Sequence, residues 1–479
     1  MNALSLARIA QLVNGRLHHV DGDFPVDGVA TDTRTLDAAV AHAQLFVALT
    51  GANFDGHDHV TRAAELGVRA ALVARPLDIA LPQIVVADTQ IALGLLAGAM
   101  QRIRATRVVG ITGSNGKTSV KQLVVAILSR HAPTVFNPGN LNNEIGLPLS
   151  ILQADEDARF AVYEMGAGQP GDIAYLTSIA RPDIALVNNI APAHIERMGS
   201  LLGIADTKAA IYDALPPDGT AVINADDAFA PYFARRAHGR RLLRFGLEAS
   251  ADISARDVVG DTSGSQFRLV TPAGDADVVL PLPGRHNVRN ALAATGIALA
   301  AGVPLATIVA GLGAAEAVAG RLVRHTLATG AVLIDDSYNA NPGSLNAAID
   351  MLGAVEGERW LVLGDMRELG GDGAAMHAQA GVRAKSAGIS RVYALGALSA
   401  AAAEAFGEGA RHFETHDDLI GALAGDLSAG TRASIPDHAS PHPTDERPAI
   451  TALIKGSRGS AMDRVVDALR AAQGTHDAA

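Results

Sequence analysis

The stretch G-I-T-G-S-N-G-K-T-S, Gly110 to Ser119, decides how the rest of the chain is read. Its Gly113, Gly116, Lys117 and Thr118 suggest a phosphate-binding loop, yet the common G-x-x-x-x-G-K-[ST] spacing calls for glycine at position 111, where the chain has Ile111. The flanks supply the missing context. RVVGIT reads as a buried strand ending at Thr112, and KTSVKQLVVAIL starts a helix with Val120, Leu123, Val124, Ile127 and Leu128 on one face. Strand, glycine turn and helix start together aim backbone amides at an anion, Lys117 adds a charge, and Thr118 offers an oxygen to Mg²⁺. An ordinary βα turn is the plainer reading of the same residues, and the flanking strand and helix favour phosphate.

Working outward, 479 residues are too many for one core and suggest about three domains. The first hundred residues mix short apolar runs, such as LFVAL (Leu45 to Leu49) and AALVA (Ala70 to Ala74), with Gly, Asp and His turns, which predicts a small α/β domain. From Arg107 the runs RVVGIT, FAVYEMG, DIALVNN and GTAVINAD recur between helical segments, as strands of a parallel sheet buried on both faces do. In such sheets ligands gather beyond the carboxyl ends of the strands. A third block, with GAVLIDDS, RWLVLGDM, SRVYALG and AITALIKGSR, predicts a second doubly wound sheet. The expected fold class is therefore α/β in three domains, divided at 1–105, 106–320 and 321–479. The Pro-rich stretch 433–449 reads as an exposed loop.

A net charge of −11 and 4% aromatic residues leave neither a basic stripe nor stacking platforms for nucleic acid. The absence of cysteine removes disulfides and thiolate chemistry and suits a cytoplasmic location. No export signal is visible: Leu6, Ile9, Ala10 and Val13 instead fall on one face of a short helix. Residues 291–315 carry no charge and are long enough to span a bilayer, but they are mostly Ala and Gly, and Gly302 to Pro304 reads as a turn joining two buried helices.

TGSNGKTS resembles the ATP loop of the Mur ligase family, whose T-G-[ST]-x-G-K-[ST] form lacks the distal glycine; Ile111 is then the last apolar strand residue before the loop. The resemblance extends over nearly the whole chain through TDTR (Thr31 to Arg34), NLNNEIGLP (Asn140 to Pro148), YEMGA (Tyr163 to Ala167) and LVNNIAPAHIERMGS (Leu186 to Ser200). It continues through LPGRHNVRNALAA from Leu282, DDSYNANPGS (Asp335 to Ser344), LGDMRELG (Leu363 to Gly370) and KGSRGSAM (Lys455 to Met462). It implies a central ATPase domain of the phosphate-loop type, a C-terminal Rossmann-like domain, and an acyl phosphate made from ATP and attacked by an amine. Among the family's branches the motifs match the one that adds D-alanyl-D-alanine to UDP-N-acetylmuramoyl-tripeptide. A sibling adding a single amino acid is the nearest alternative, though no D-N-P-R acceptor motif is present. A kinase or a nucleotide-operated binding module is the alternative from another class.

An anionic carboxylate must here meet an anionic triphosphate, so the site needs metal ions and fixed cations. Gly113, Ser114, Asn115, Gly116, Lys117, Thr118 and Ser119 form the expected ATP loop. Glu164 ends an apolar strand where a carboxylate can reach Mg²⁺, the alternative being an exposed strand-end acid. The family implies a second magnesium at His194 and a carbamylated lysine at Lys208, which needs a neutral amine. Asn140, Asn142 and Asn143 can orient phosphate or substrate, or simply build a turn. Asn287 and Asn290 share a helix face suited to adenine edges, with capping as the alternative for Asn287. The family places counterparts of Arg321 and Asp335 on phosphate and ribose, with Asn339 beside them, and the latter two could equally build the turn before Pro342. Lys455, Ser457 and Arg458 suit the free carboxylate of an incoming dipeptide. Thr33 and Arg34 are expected on the UDP end. The cofactors implied are ATP and Mg²⁺, the partners are small molecules, and a monomer is expected.

Overall fold

The computed structural model describes residues 1–192, 195–261, 263–432 and 449–473. The loop Gly110 to Ser119 lies near the middle of a three-part molecule. Strand Arg107–Thr112 pairs on one side with Phe160–Glu164 and on the other with Ile184–Val187, all parallel, inside a six-stranded sheet. From this strand the chain first builds Thr134–Phe136 and Phe160–Glu164 to one side, then Ile184–Val187, Thr220–Asn224 and Arg241–Phe245 to the other. The loop therefore sits at the topological switch point, where a parallel sheet opens a crevice at its carboxyl edge. Residues 160–164 and 184–187 are buried throughout, as continuous apolar runs between two helix layers must be.

The first domain carries a five-stranded sheet, in the order Arg16–His18, Gln83–Val85, Ala70–Val73, Gln44–Val47 and Gly28–Ala30. Helix Leu6–Leu12 buries Leu6, Ile9 and Ala10, the face that the sequence spacing predicts. Helix Thr89–Ile103 is capped by Asp88, whose carboxylate accepts from Gln90 N and Ile91 N. It buries Leu93, Leu96, Ala97 and Met100 in an apolar cluster that continues into Val108, Leu147, Ile151 and Leu176 of the second domain. The expected division at 105/106 thus falls in a short link between a helix and a strand that share one core.

A three-stranded antiparallel sheet, Ser254–Gly260, Ser265–Thr271 and Gly274–Leu280, follows the parallel one and departs from the parallel reading of the sequence. Its signal is visible in SQFRLVT, where Ser265, Phe267, Leu269 and Thr271 alternate inward. Beyond it, Arg285–Ala300 and Leu305–Gly313 are two helices separated at Gly302, whose φ of +84° suits only glycine without strain. Among the described residues no helix is long and apolar enough to cross a membrane.

The third domain holds a six-stranded sheet in which only Val323–Thr326 runs antiparallel. Val332–Asp336, Ile450–Lys455, Glu358–Gly364, Arg391–Leu395 and Ala410–Phe413 follow in spatial order and are parallel. The four apolar runs read from sequence are all strands of this sheet. The expected loop at 433–449 lies, but for Ala449, outside the described residues.

Candidate active site

Two glycines shape the phosphate loop. Gly113 has φ +147° and Gly116 φ +75°, and a Cβ on Gly116 would meet Asn188 Nδ2 and Asn290 Oδ1 at 2.7 Å each. Helix Lys117–Leu128 starts directly after Gly116, so its first amides face the crevice. Asn189 pins the turn from the neighbouring strand end, its Oδ1 accepting from Asn115 N at 2.8 Å, while Ser114 Oγ donates to Ala191 O at 3.0 Å. Lys117 Nζ donates to Gly113 O at 2.9 Å and curls over the loop it belongs to. Burial lowers its pKa, with Glu164 opposing and Arg321 adding to the effect.

Glu164 stands beside the loop, 3% exposed. Its Oε2 accepts from Thr118 Oγ1 at 2.8 Å and its Oε1 from Asn142 Nδ2 at 2.8 Å. Burial alone would raise its pKa, but Lys117, Lys121 and these two hydrogen bonds together hold it below the usual glutamate value. Thr118 Oγ1 in turn accepts from Arg321 Nη2 at 3.0 Å, a bond between the second and third domains. Asn341 Nδ2 makes a second such bond to Asn115 Oδ1 at 2.6 Å.

These contacts enclose a cleft of about 840 Å³ that brings most of the predicted residues together. Gly113, Ser114, Asn115, Gly116, Lys117 and Ser119 line it from the loop, and Asn140, Asn142, Asn143 and Glu164 from one flank. Lys208, Asn287 and Asn290 line it from helices of the second domain; Arg321, Asn339, Lys455 and Arg458 come from the third. Lys208, 2% exposed on helix Leu201–Asp213, has its pKa pushed down to about 7 by burial and then by the Lys117 charge, with Asp172 opposing. A substantial fraction of neutral amine follows at neutral pH.

Glu164 and Thr118 present hard oxygens next to the amides of the helix start, a donor set suited to Mg²⁺. Among the described residues no group of three or more His, Cys, Asp or Glu gathers a metal by itself, so phosphate oxygens and water would have to complete the shell. His194 lies outside the described residues.

Two family models match the chain: "Mur ligase middle domain" over residues 111–298 and "Mur ligase, glutamate ligase domain" over 320–433. A UDP-N-acetylmuramoyl-tripeptide--D-alanyl-D-alanine ligase from Escherichia coli is 43% identical over 471 residues, covering 98% of this chain and 99% of that one. The chain belongs to the Mur ligase family. Among solved structures, MurF from Acinetobacter baumannii superposes with a TM-score of 0.90 at 32% identity, covering 98% and 99% of the two chains. MurF from Thermotoga maritima in complex with ADP gives 0.79 at 25% identity, covering 93% and 97%.

In this Mur ligase several predicted residues stand elsewhere. Asp335 does not face the cleft: its Oδ1 accepts from Ser337 N and Oγ, and Asp336, the next residue on the strand, lines the cavity instead. Side chains alternate along a strand, so the one-residue difference reverses the face. Ser457 Oγ donates to Ala340 O at 3.1 Å and accepts from Arg367 N, a bracing role outside the cleft. Thr33 and Arg34 are not among the cleft residues, and Arg34, 87% exposed at its side chain, pairs with Asp32 at 2.6 Å. Asn287 is not a cap: Gly284 occupies that position, and Asn287 Nδ2 donates to Pro283 O while its Oδ1 accepts from Asn290.

Sequence reasoning missed Asn188, Lys121 and His286. Asn188 Nδ2 reaches both Asn115 O and Asn290 Oδ1, tying the loop to the Asn287 helix. His286 lines the cleft with its pKa pushed down to about 4 by burial, then Lys455 and Arg289. Only its place in GRHNVRN could have drawn attention to it.

Proposed function

We propose that this chain joins D-alanyl-D-alanine to UDP-N-acetylmuramoyl-tripeptide in the cytoplasm, as a monomer, converting ATP to ADP and phosphate. The observation that carries the reading is the single cleft shared by the phosphate loop, Glu164 and Lys208 of one domain and by Arg321, Lys455 and Arg458 of the next.

In this reading the amides of 113–119 gather the triphosphate, and Lys117 leaves the Gly113 carbonyl for phosphate oxygens. Asn287 and Asn290 hold the adenine side, with Arg321 and Asn339 on the rest of the nucleotide. Asn140, Asn142 and Asn143 orient the peptide, whose terminal carboxylate oxygen attacks the γ-phosphorus as the bond to ADP breaks. Lys455 and Arg458 hold the dipeptide carboxylate so that its amine nitrogen meets the acyl carbon. The new C–N bond forms, phosphate leaves with the C–O electrons, and the amine proton passes to water. Thr118 and Glu164 would hold Mg²⁺, with His194 and a carbamylated Lys208 toward a second ion; the metal supplies charge neutralisation between the two reacting anions. Lys208 suits carbamylation because its burial favours the neutral amine that CO₂ requires. Thr33 and Arg34 take the UDP end in this scheme.

The test is phosphate release from ATP, Mg²⁺ and UDP-N-acetylmuramoyl-tripeptide, with and without D-alanyl-D-alanine. Strong dependence on the dipeptide is expected. Equal release without it, or preference for a single amino acid, would overturn the reading.

A further inference from the structure

Helix Lys117–Leu128 carries two lysines one turn apart, and the scheme above uses only the first. Lys121 is fully buried and does not line the cleft. Its ammonium donates to Asn137 O at 2.8 Å and Gly139 O at 3.3 Å and stands 3.5 Å from Glu164 Oε2. Two hydrogen bonds and one ion pair thus hold the ammonium. Asn137, itself fully buried, closes the other side: its Nδ2 donates to Glu164 O and Leu141 O, and its Oδ1 accepts from Glu164 N. The result is a closed ring, in which Lys121 holds the carbonyls of the 137–139 turn and the Glu164 carboxylate, while Asn137 holds the Glu164 backbone. The Asn140–Asn143 loop leaves this ring directly and returns to it through Asn142 Nδ2 on Glu164 Oε1.

A buried ammonium is unfavourable unless fully paired, and an apolar side chain of equal length fills the same space without that cost. What the apolar side chain lacks is direction and charge, since two hydrogen bonds and an ion pair link three oxygens on two separate chain segments. We propose that Lys121 is a positioning residue for the ligation site: it fixes the Glu164 carboxylate and the Asn140–Asn143 loop as one rigid unit beside the phosphate loop. The assignment rests on the ligase reading above. It makes Lys117 the lysine that moves with substrate and Lys121 the one that does not.

Calorimetric titration of the full chain with ADP, first without metal and then with Mg²⁺, tests this apart from turnover. In Lys121→Met the metal-free ADP affinity should stay within about twofold of the parent, because the variant does not touch the 113–118 amides. The gain in affinity on adding Mg²⁺ should fall by about tenfold or more, the usual effect of removing a side chain that orients a metal ligand. Turnover should show kcat falling further than KM for ATP rises. If Lys121→Met does not fold, Asn137→Ala opens the same ring from its other side and should give the same split. A parental Mg²⁺ response in whichever variant folds, or equal loss of ADP affinity with and without metal, would overturn the assignment. A parent chain that ignores ADP altogether would overturn the ligase reading and this assignment with it.

Discussion

Glu164 and Asp336 are both acids at strand ends, face one cleft from different domains, and are pushed upward in pKa by burial. Yet they end on opposite sides of the usual range. Around Glu164, two lysines and two neutral donors outweigh burial and keep the carboxylate ionised. At Asp336, burial wins over Lys455, its immediate partner, and over Arg321, and the carboxyl is held above the usual aspartate value. The difference teaches that the second domain presents a charge ready to meet a cation before any ligand arrives, whereas the third presents a pair in balance. A dipeptide carboxylate entering beside Lys455 would compete with Asp336 for that ammonium.

The sharpest break with this contrast comes from the loop side. Lys117→Ala should reduce turnover by about two to three decades with an unchanged far-ultraviolet circular dichroism spectrum, since fixed cations at a developing charge each carry about 3 to 4 kcal/mol of barrier. Retained activity would contradict the loop assignment. Glu164→Gln keeps the shape and removes the charge; turnover should fall by about two to three decades.

Lys455→Ala separates the two regions by stability. It leaves Asp336 buried without its main partner and should cost about 3 kcal/mol or more in urea unfolding, while Lys455→Met combined with Asp336→Leu should recover most of that. Turnover in Lys455→Ala should fail first in KM for the dipeptide; a change confined to KM for ATP would move Lys455 to the nucleotide.

Acid sharpens the same comparison more gently. Because the folded pKa of Glu164 is depressed, its stabilisation is fully present above the ordinary glutamate value and is lost as pH falls through the folded one. The stability gap between parent and Glu164→Gln should therefore shrink on acidification, read by urea unfolding at a series of pH values. The smallest effect expected is at the domain contact: Asn341→Ala removes both the bond to Asn115 and the cap of helix Pro342–Gly353, at about 1 kcal/mol.

The loop was legible because its signal is local: glycines where φ is positive, a lysine and a threonine at a helix start. The sheets were legible as continuous apolar runs. The antiparallel sheet at 254–280 was hidden by the expectation of parallel runs, although its alternation is plain in SQFRLVT. Asp335 rests on the family resemblance alone, and two adjacent acids at a strand end give no parity until the partner strand places Asp336 opposite Lys455. Lys121 was invisible for a related reason: on the helix it is one more lysine, and only the turn at Asn137 and Gly139, sixteen and more residues away, buries it.

The central claim is that Gly113 to Thr118 gathers a triphosphate beside an ionised Glu164. A structure of the chain with a non-hydrolysable ATP analogue tests it most directly. The account predicts phosphate oxygens on the amides of this segment and the Lys117 ammonium turned from Gly113 O onto them; an analogue bound with the segment untouched would contradict it.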